Sequence, residues 1–130
     1  ISDMLITIKN AQAVGKEQVS VPFSTIKYKI AMVLKENGFV GEIDRKKKKN
    51  IKGTEHELID IILKYADKFP GISGVKIVSK PSRHMYIKAG EIKPVRSGYG
   101  IAVISTSKGI MSSKEAKKNN LGGEIMFEIW

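Results

Sequence analysis

Beyond Lys80 the chain is cut so often by glycine and proline that no long helix can form there. Gly90, Pro94, Gly98, Gly100, Gly109 and the pair Gly122-Gly123 leave only short runs between them. Inside a helix a glycine costs about 1 kcal/mol and a proline about 3 kcal/mol relative to alanine. The surviving runs, Met85-Tyr86-Ile87, Ile101 to Ile104 and Glu124 to Trp130, therefore read as short strands of a small β-rich unit. One short helix fits among them, from Lys114 to Asn119, capped by Ser112 or Ser113.

The first eighty residues carry longer periodic segments. Ser2 can cap a helix whose apolar face is Leu5, Ile8 and Ala11, with Asp3 favourable to the helix dipole and an end near Val14-Gly15. Val19 and Val21 alternate with polar neighbours as a strand stopped by Pro22. Ser24 then caps a second helix, in which Ile26, Ile30, Val33 and Leu34 form one stripe closed by Asn37-Gly38. Phe39, Val40 and Ile43 begin an extended segment that runs into Arg45-Lys46-Lys47-Lys48-Lys49, which reads as an exposed hairpin tip, and Leu58 to Tyr65 form the returning strand. A turn at Pro70 to Gly74 leads to a strand at Val75 to Val78, and Lys80-Pro81-Ser82 breaks the pattern. The order is α-β-α-β-β over residues 1–80, followed by a β-rich domain with one short helix over 81–130, an α+β chain overall.

Charge gives the first indication of function. The 130 residues hold 23 Lys and Arg against 13 Asp and Glu, a net charge of +10, as expected of a polyanion binder. From Lys76 to Lys118 ten basic residues face two acids, and residues 45–52 carry six positive charges and no acid. An inert basic surface is the plain alternative. A membrane surface fits less well, because no basic segment has an amphipathic helical period with large apolar anchors. No apolar run reaches the roughly 20 residues that span a bilayer, and Ile1-Ser2-Asp3-Met4 lacks the form of a signal peptide, so a cytoplasmic protein is expected. The chain opens without methionine at a residue that already reads as helical, so a few residues are expected to precede it.

Catalytic material is thin. The chain has no cysteine, which removes disulfides, thiolate zinc sites and a cysteine nucleophile together. His56 and His84 have no partner at a ligand spacing, so no metal and no cofactor are expected. Ser105-Thr106-Ser107-Lys108 fits the S-x-x-K pattern of penicillin-binding enzymes, but the S-D-N and K-T-G elements are missing. Gly98-Tyr99-Gly100 lacks the third glycine of a dinucleotide fingerprint. Gly71-x-x-Gly74 matches the spacing of a KH loop, yet that loop joins helices and this one sits between strands. A small hydrolase would need a base beside Ser105 or Ser107. The same hydroxyls suit RNA better, since each both donates and accepts and can meet 2′-OH groups, base edges and phosphates on a shallow A-form minor groove. Lys108 would add a phosphate contact, Gly109 a close approach of backbones, and Lys114, Lys117 and Lys118 an extension of the surface. A simple polar turn remains the other reading.

Ile104-Ser105-Thr106-Ser107-Lys108-Gly109-Ile110-Met111, Lys114-Glu115-Ala116-Lys117-Lys118, Gly122-Gly123-Glu124-Ile125 and the terminal Trp130 resemble the carboxy-terminal signature of the bacterial small-subunit ribosomal protein S-eight family. Further matches run along the chain: Asp3-Met4-Leu5, Ile8-Lys9-Asn10-Ala11, Val21-Pro22 with Ser24 and Lys27, Leu34-Lys35 through Gly38-Phe39, Leu63-Lys64-Tyr65, and Ile77-Val78-Ser79-Lys80-Pro81. The match is poorest over 41–57, where the lysine run replaces a mixed hairpin. The resemblance implies an amino-terminal α-β-α-β-β domain packed on the β-rich one. It also implies a non-catalytic constituent of the small ribosomal subunit that binds an irregular internal-loop stem in the central domain of small-subunit ribosomal RNA, supports assembly and touches neighbouring small-subunit proteins. By the same resemblance Ser105, Thr106, Ser107 and Gly109 would contact RNA, with Lys108 beside them and Gly122, Gly123 and Glu124 shaping the adjoining wall. Tyr86, in the Arg83-His84-Met85-Tyr86 run, would stack or hydrogen-bond, with a buried strand tyrosine as the rival. Asn10, Ser24 and Lys27 are secondary candidates, and capping alone also explains Ser24. The alternative is a translational repressor that binds a stem in its own operon's messenger RNA.

Overall fold

The computed structural model describes residues 2–49, 51–66 and 69–130. It divides into two compact units, Ile1–Gly71 and Ile72–Trp130. In the first, helix α1 spans Ser2–Ala13, strand β1 Gln18–Pro22, helix α2 Thr25–Glu36, strand β2 Val40–Lys49 and strand β3 Glu55–Leu63. A two-residue pair, β4 at Tyr65–Ala66 and β5 at Phe69–Pro70, closes the unit. The sheet order is β1-β3-β2, antiparallel throughout.

The periodicity expected in both helices is met by burial. Leu5, Ile8 and Ala11 of α1 are buried, joined by Met4, and so are Ile30, Val33 and Leu34 of α2 and Ile59 and Ile61 of β3. Each such side chain contributes about 1.5–3 kcal/mol when fully withdrawn from water. Ser24 caps α2, its hydroxyl accepting from the Lys27 amide at 3.1 Å. Ile26 departs from the expected stripe at 41% exposure, because the buried arc of α2 turns toward Ala31 instead. Whether the Ser2 side chain caps α1 lies outside the described residues.

The lysine run corrects the expected hairpin tip. Lys46 to Lys49 belong to β2 itself, paired with Leu58, Glu57, His56 and Glu55 of β3. Directly opposed side chains on one face stand close enough to interact, and the chain uses this for charge. Arg45 meets Glu57 at 2.8 Å, Lys47 meets Glu57 at 3.9 Å, and Lys49 meets Glu55 at 4.0 Å. Arg45 also stacks over the Phe23 ring at 3.9 Å. What sequence presents as an uncompensated positive cluster is a cross-strand ladder, because the acids that answer it lie six to fourteen residues later in the chain.

At the centre of that ladder Asp60 is buried, accepts a hydrogen bond from the Ser20 hydroxyl and lies 3.2 Å from the Lys46 ammonium. The Ser20 hydrogen bond, and after it Lys46, hold its carboxyl below the ordinary value of 3.8 against the opposing effect of burial. A depressed carboxyl binds protons more tightly when the chain is unfolded, so it stabilises the fold above the ordinary value and loses that contribution as pH falls through the lowered one. Acid titration followed by circular dichroism should show part of this loss below pH 3.8 in the natural chain and its removal in Asp60→Asn. Identical acid limbs in the two proteins would contradict this role for Asp60.

In the second unit, strand β6 spans Val75–Ile77, β7 Tyr86–Ile87, β8 Ile101–Thr106, β9 Gly109–Ser112 and β10 Gly123–Ile129, with helix α3 at Ser113–Lys118 between β9 and β10. Single turns of 3₁₀ helix lie at Ala89–Glu91 and Arg96–Gly98. The sheet order is β6-β10-β8-β9, and β7 pairs with the start of β10 on the side where β6 pairs with its end. The division after Gly71 falls ahead of the expected Lys80-Pro81 break because β6 hydrogen-bonds to the last strand of the chain. Such a pairing cannot be seen in local sequence.

One face of this sheet carries Ala102, Ile104 and Met111 against Ala116 of α3 and Ile92 and Val95 of the preceding loops, with Ile87, Leu121 and Ile125 at its margin. Ser112 caps α3, its hydroxyl accepting from the Glu115 amide at 3.2 Å. Arg96 stacks on the Trp130 ring at 4.1 Å, tying the second 3₁₀ turn to the carboxy-terminal residue.

Candidate nucleic-acid interface

Alternate residues of a strand face opposite sides of its sheet, so the face opposite the Ala102–Ile104 core presents Ser105. Register extends this into a row. Ser105 lies opposite Glu124 of β10 and Ile110 of β9, and Glu124 lies opposite Tyr86 of β7. Tyr86, Glu124, Ser105 and Ile110 thus share one face of four adjacent strands. Tyr86 is 73% exposed, which excludes the buried strand tyrosine and leaves its ring and hydroxyl open for stacking or hydrogen bonding.

The turn from β8 to β9 ends the row. The Thr106 hydroxyl donates to the Gly109 carbonyl at 2.7 Å and accepts from the Lys108 amide at 3.2 Å. It is committed to holding the turn, so of the three consecutive hydroxyls Ser105 and Ser107 are the ones open to a ligand. Ser107 and Lys108 occupy the exposed apex, and Gly109 follows with a φ of 118°, which a side chain would oppose.

Gly122 and Gly123 act through close packing. A Cβ on Gly122 would stand 2.5 Å from the Ile87 carbonyl oxygen, and one on Gly123 would overlap the Ser105 carbonyl oxygen and lie 2.9 Å from its carbonyl carbon. Without side chains there, β10 enters between β7 and β8, which sets Tyr86, Glu124 and Ser105 side by side. The two glycines permit this close strand approach by lacking side chains.

Glu124 is held from the other side. His84 Nδ1 lies 2.9 Å from its Oε1 and 3.3 Å from its Oε2. The backbone that carries His84 is fixed by paired amide bonds between Lys80 and Arg83, each 2.9 Å, and by the Ser79 hydroxyl, which accepts from the Met85 amide at 2.9 Å. The Met85 carbonyl in turn accepts from the Ile125 amide at 2.9 Å. Arg83 is exposed at the turn leading into this strand. His84 and Ser79 were not singled out from sequence, and no local signal marks them: His84 and Glu124 are 40 residues apart and meet only through strand pairing.

The lysines of α3 do not line this row. Ala116 seats α3 on the core face, opposite Ser105, and the Lys114 ammonium donates to the Gly98 carbonyl at 3.2 Å. In the first unit Asn10 is exposed on α1, while Ser24 and Lys27 are half-buried and joined in the α2 cap. Among the described residues no group of three or more His, Cys, Asp or Glu could hold a metal ion.

Comparison with known proteins gives a consistent result. The family model for ribosomal protein S8 matches residues 1–130. Small ribosomal subunit protein uS8 of Syntrophus aciditrophicus is 44% identical over 131 residues, covering 100% of this chain and 96% of that protein. The proteins of the same name from Persephonella marina and Mycoplasma capricolum are 46% and 42% identical with the same coverage.

Proposed function

Because the chain belongs to the ribosomal protein S8 family, whose members are structural and non-enzymatic, we propose that it binds an irregular internal-loop stem in the central domain of small-subunit ribosomal RNA through the Tyr86–Glu124–Ser105 row and the Ser107–Lys108 turn. The observation that carries this reading is the row itself, a line of polar and aromatic groups across three strands beside a turn that presents a serine hydroxyl and a lysine. An A-form minor groove displays 2′-hydroxyls and base edges on a wide, shallow surface, and a strand face is flat enough to meet it. Hydroxyls and a carboxylate read hydrogen-bonding edges, a tyrosine ring takes an unstacked base, and Lys108 supplies a phosphate contact. The contact supports assembly of that region of the subunit, with neighbouring small-subunit proteins as further partners. Asn10, Ser24 and Lys27 are secondary contacts from the first unit.

The β2–β3 hairpin contributes little to this site. Its acids answer much of its positive charge internally, so fewer of its lysines are available for phosphates than their number suggests. With about four to six phosphates neutralised overall, log affinity plotted against log salt should fall with a slope of roughly −3 to −5. Filter binding of a central-domain fragment carrying the stem, over a range of potassium concentrations, measures this. A slope near zero would remove phosphate contact from the account.

A further inference from the structure

A carboxylate facing RNA is an apparent contradiction, since phosphate repels it and partial burial removes its water. Glu124 has only 24% of its side chain exposed, on a chain of net charge +10. Among the described residues the group that answers it is the imidazole of His84, itself 53% exposed. Nδ1 lies between the two carboxylate oxygens, nearer Oε1, and donates when it carries the proton. An ionised carboxylate offers about four acceptor positions. A donor between the oxygens occupies the inner ones and leaves the outer ones open to a ligand.

Resting on the RNA-binding reading, we propose that His84 is a positioning residue that fixes the Glu124 carboxylate as an acceptor for the exocyclic amino group of a guanine, and so determines specificity at one base of the RNA. Guanine is the base whose minor-groove edge adds an amino donor to acceptors common to all pairs. A carboxylate held in one orientation accepts from that donor and repels the acceptor edges that would replace it, so it selects both by attraction and by exclusion. A carboxylate free to rotate loses the selectivity, because it can turn away from an acceptor toward solvent. The platform under His84 supports a fixed orientation: the Lys80–Arg83 amide pair, the Ser79–Met85 bond and the Met85–Ile125 bond anchor its backbone on both sides.

The test uses the full chain and a central-domain fragment of bacterial small-subunit ribosomal RNA that carries the irregular stem, with its guanosines replaced one at a time by inosine, which lacks the amino group. The natural chain should lose about 10-fold in affinity at one guanosine, within the range of a single base contact. His84→Ala should weaken binding to the unmodified RNA about 5- to 20-fold and abolish that inosine penalty, as Glu124→Ala, which removes the acceptor, should. His84→Gln, whose amide still donates, should recover most of the penalty, which a merely structural role for His84 would not produce. An undiminished penalty in folded His84→Ala, or no penalty at any guanosine in the natural chain, would overturn the proposal while leaving RNA binding in place. A natural chain that binds the stem no better than a scrambled duplex would instead overturn the RNA-binding reading and this proposal with it.

Discussion

Gly123→Ala is expected to lower the melting temperature by roughly 10–15 °C and to cost about 3 kcal/mol or more, the largest stability effect expected among the glycine-to-alanine changes. The added carbon would overlap the Ser105 carbonyl oxygen and crowd the Thr106 Cα at 3.1 Å, and these are backbone atoms that no rotamer change can move aside. Relief requires β10 and β8 to separate where Gly123 pairs with Thr106, at the end of their shared ladder beside the β8–β9 turn. The strands on either side carry Ile104 and Phe127, both fully buried, so separation there opens the core. Gly109→Ala is the matched control, since nothing lies within 4 Å of its added carbon and only its φ of 118° opposes the change. Thermal melting of the two variants decides the matter, and a Gly123→Ala protein as stable as the natural one would show that the strands are less closely joined than their register requires.

The second large effect concerns recognition. Ser107→Ala should weaken binding to the ribosomal stem about five- to 150-fold, the loss of one hydrogen bond worth about 1–3 kcal/mol at a buried RNA group. The fold should not change, because the Ser107 hydroxyl sits at the exposed apex while Thr106, its neighbour, makes the bonds that close the turn. The salt slope should also stay as it was, since no charge is removed. Lys108→Ala should behave oppositely, reducing the slope by about one and weakening the stem and a scrambled duplex alike. Paired salt titrations of both variants separate a base- and sugar-reading group from a phosphate contact. Wild-type affinity in folded Ser107→Ala would reduce the turn to a polar connection.

The contrast between Ser107 and Thr106 also marks what was legible in the sequence. Three adjacent hydroxyls are equivalent as letters, and only the hairpin geometry assigns one to the turn and leaves two for a ligand. The order of the longer elements, the cap at Ser24, a cap at Ser112 and most of the buried stripe of each long helix were readable, because each depends on residues within four positions of one another, whereas strand β9 and the short β4–β5 pair were not read. Ser105, Tyr86 and Glu124 were named as candidates through family resemblance, but their alignment in one row depends on register between strands far apart in sequence. The same limit hid His84 and turned the lysine run of β2 into an apparent free patch, since Glu55, Glu57 and Asp60 meet it only across the hairpin. Likewise the role of Gly123 in strand approach could not be separated from turn formation until the Ser105 carbonyl was placed beside it.

The proposed contact with RNA lies on one face of the second sheet, from Tyr86 through Glu124 and Ser105 to the Ser107–Lys108 turn. It is tested most directly by titrating the isotopically labelled full chain with the central-domain stem and following backbone amide resonances. The expected result is that the largest shifts fall on residues 84–86, 105–109 and 122–124, with smaller ones near Asn10 and Ser24 and little change along Lys46 to Lys49. Shifts concentrated in the β2–β3 hairpin, with residues 84–86, 105–109 and 122–124 unmoved, would contradict it.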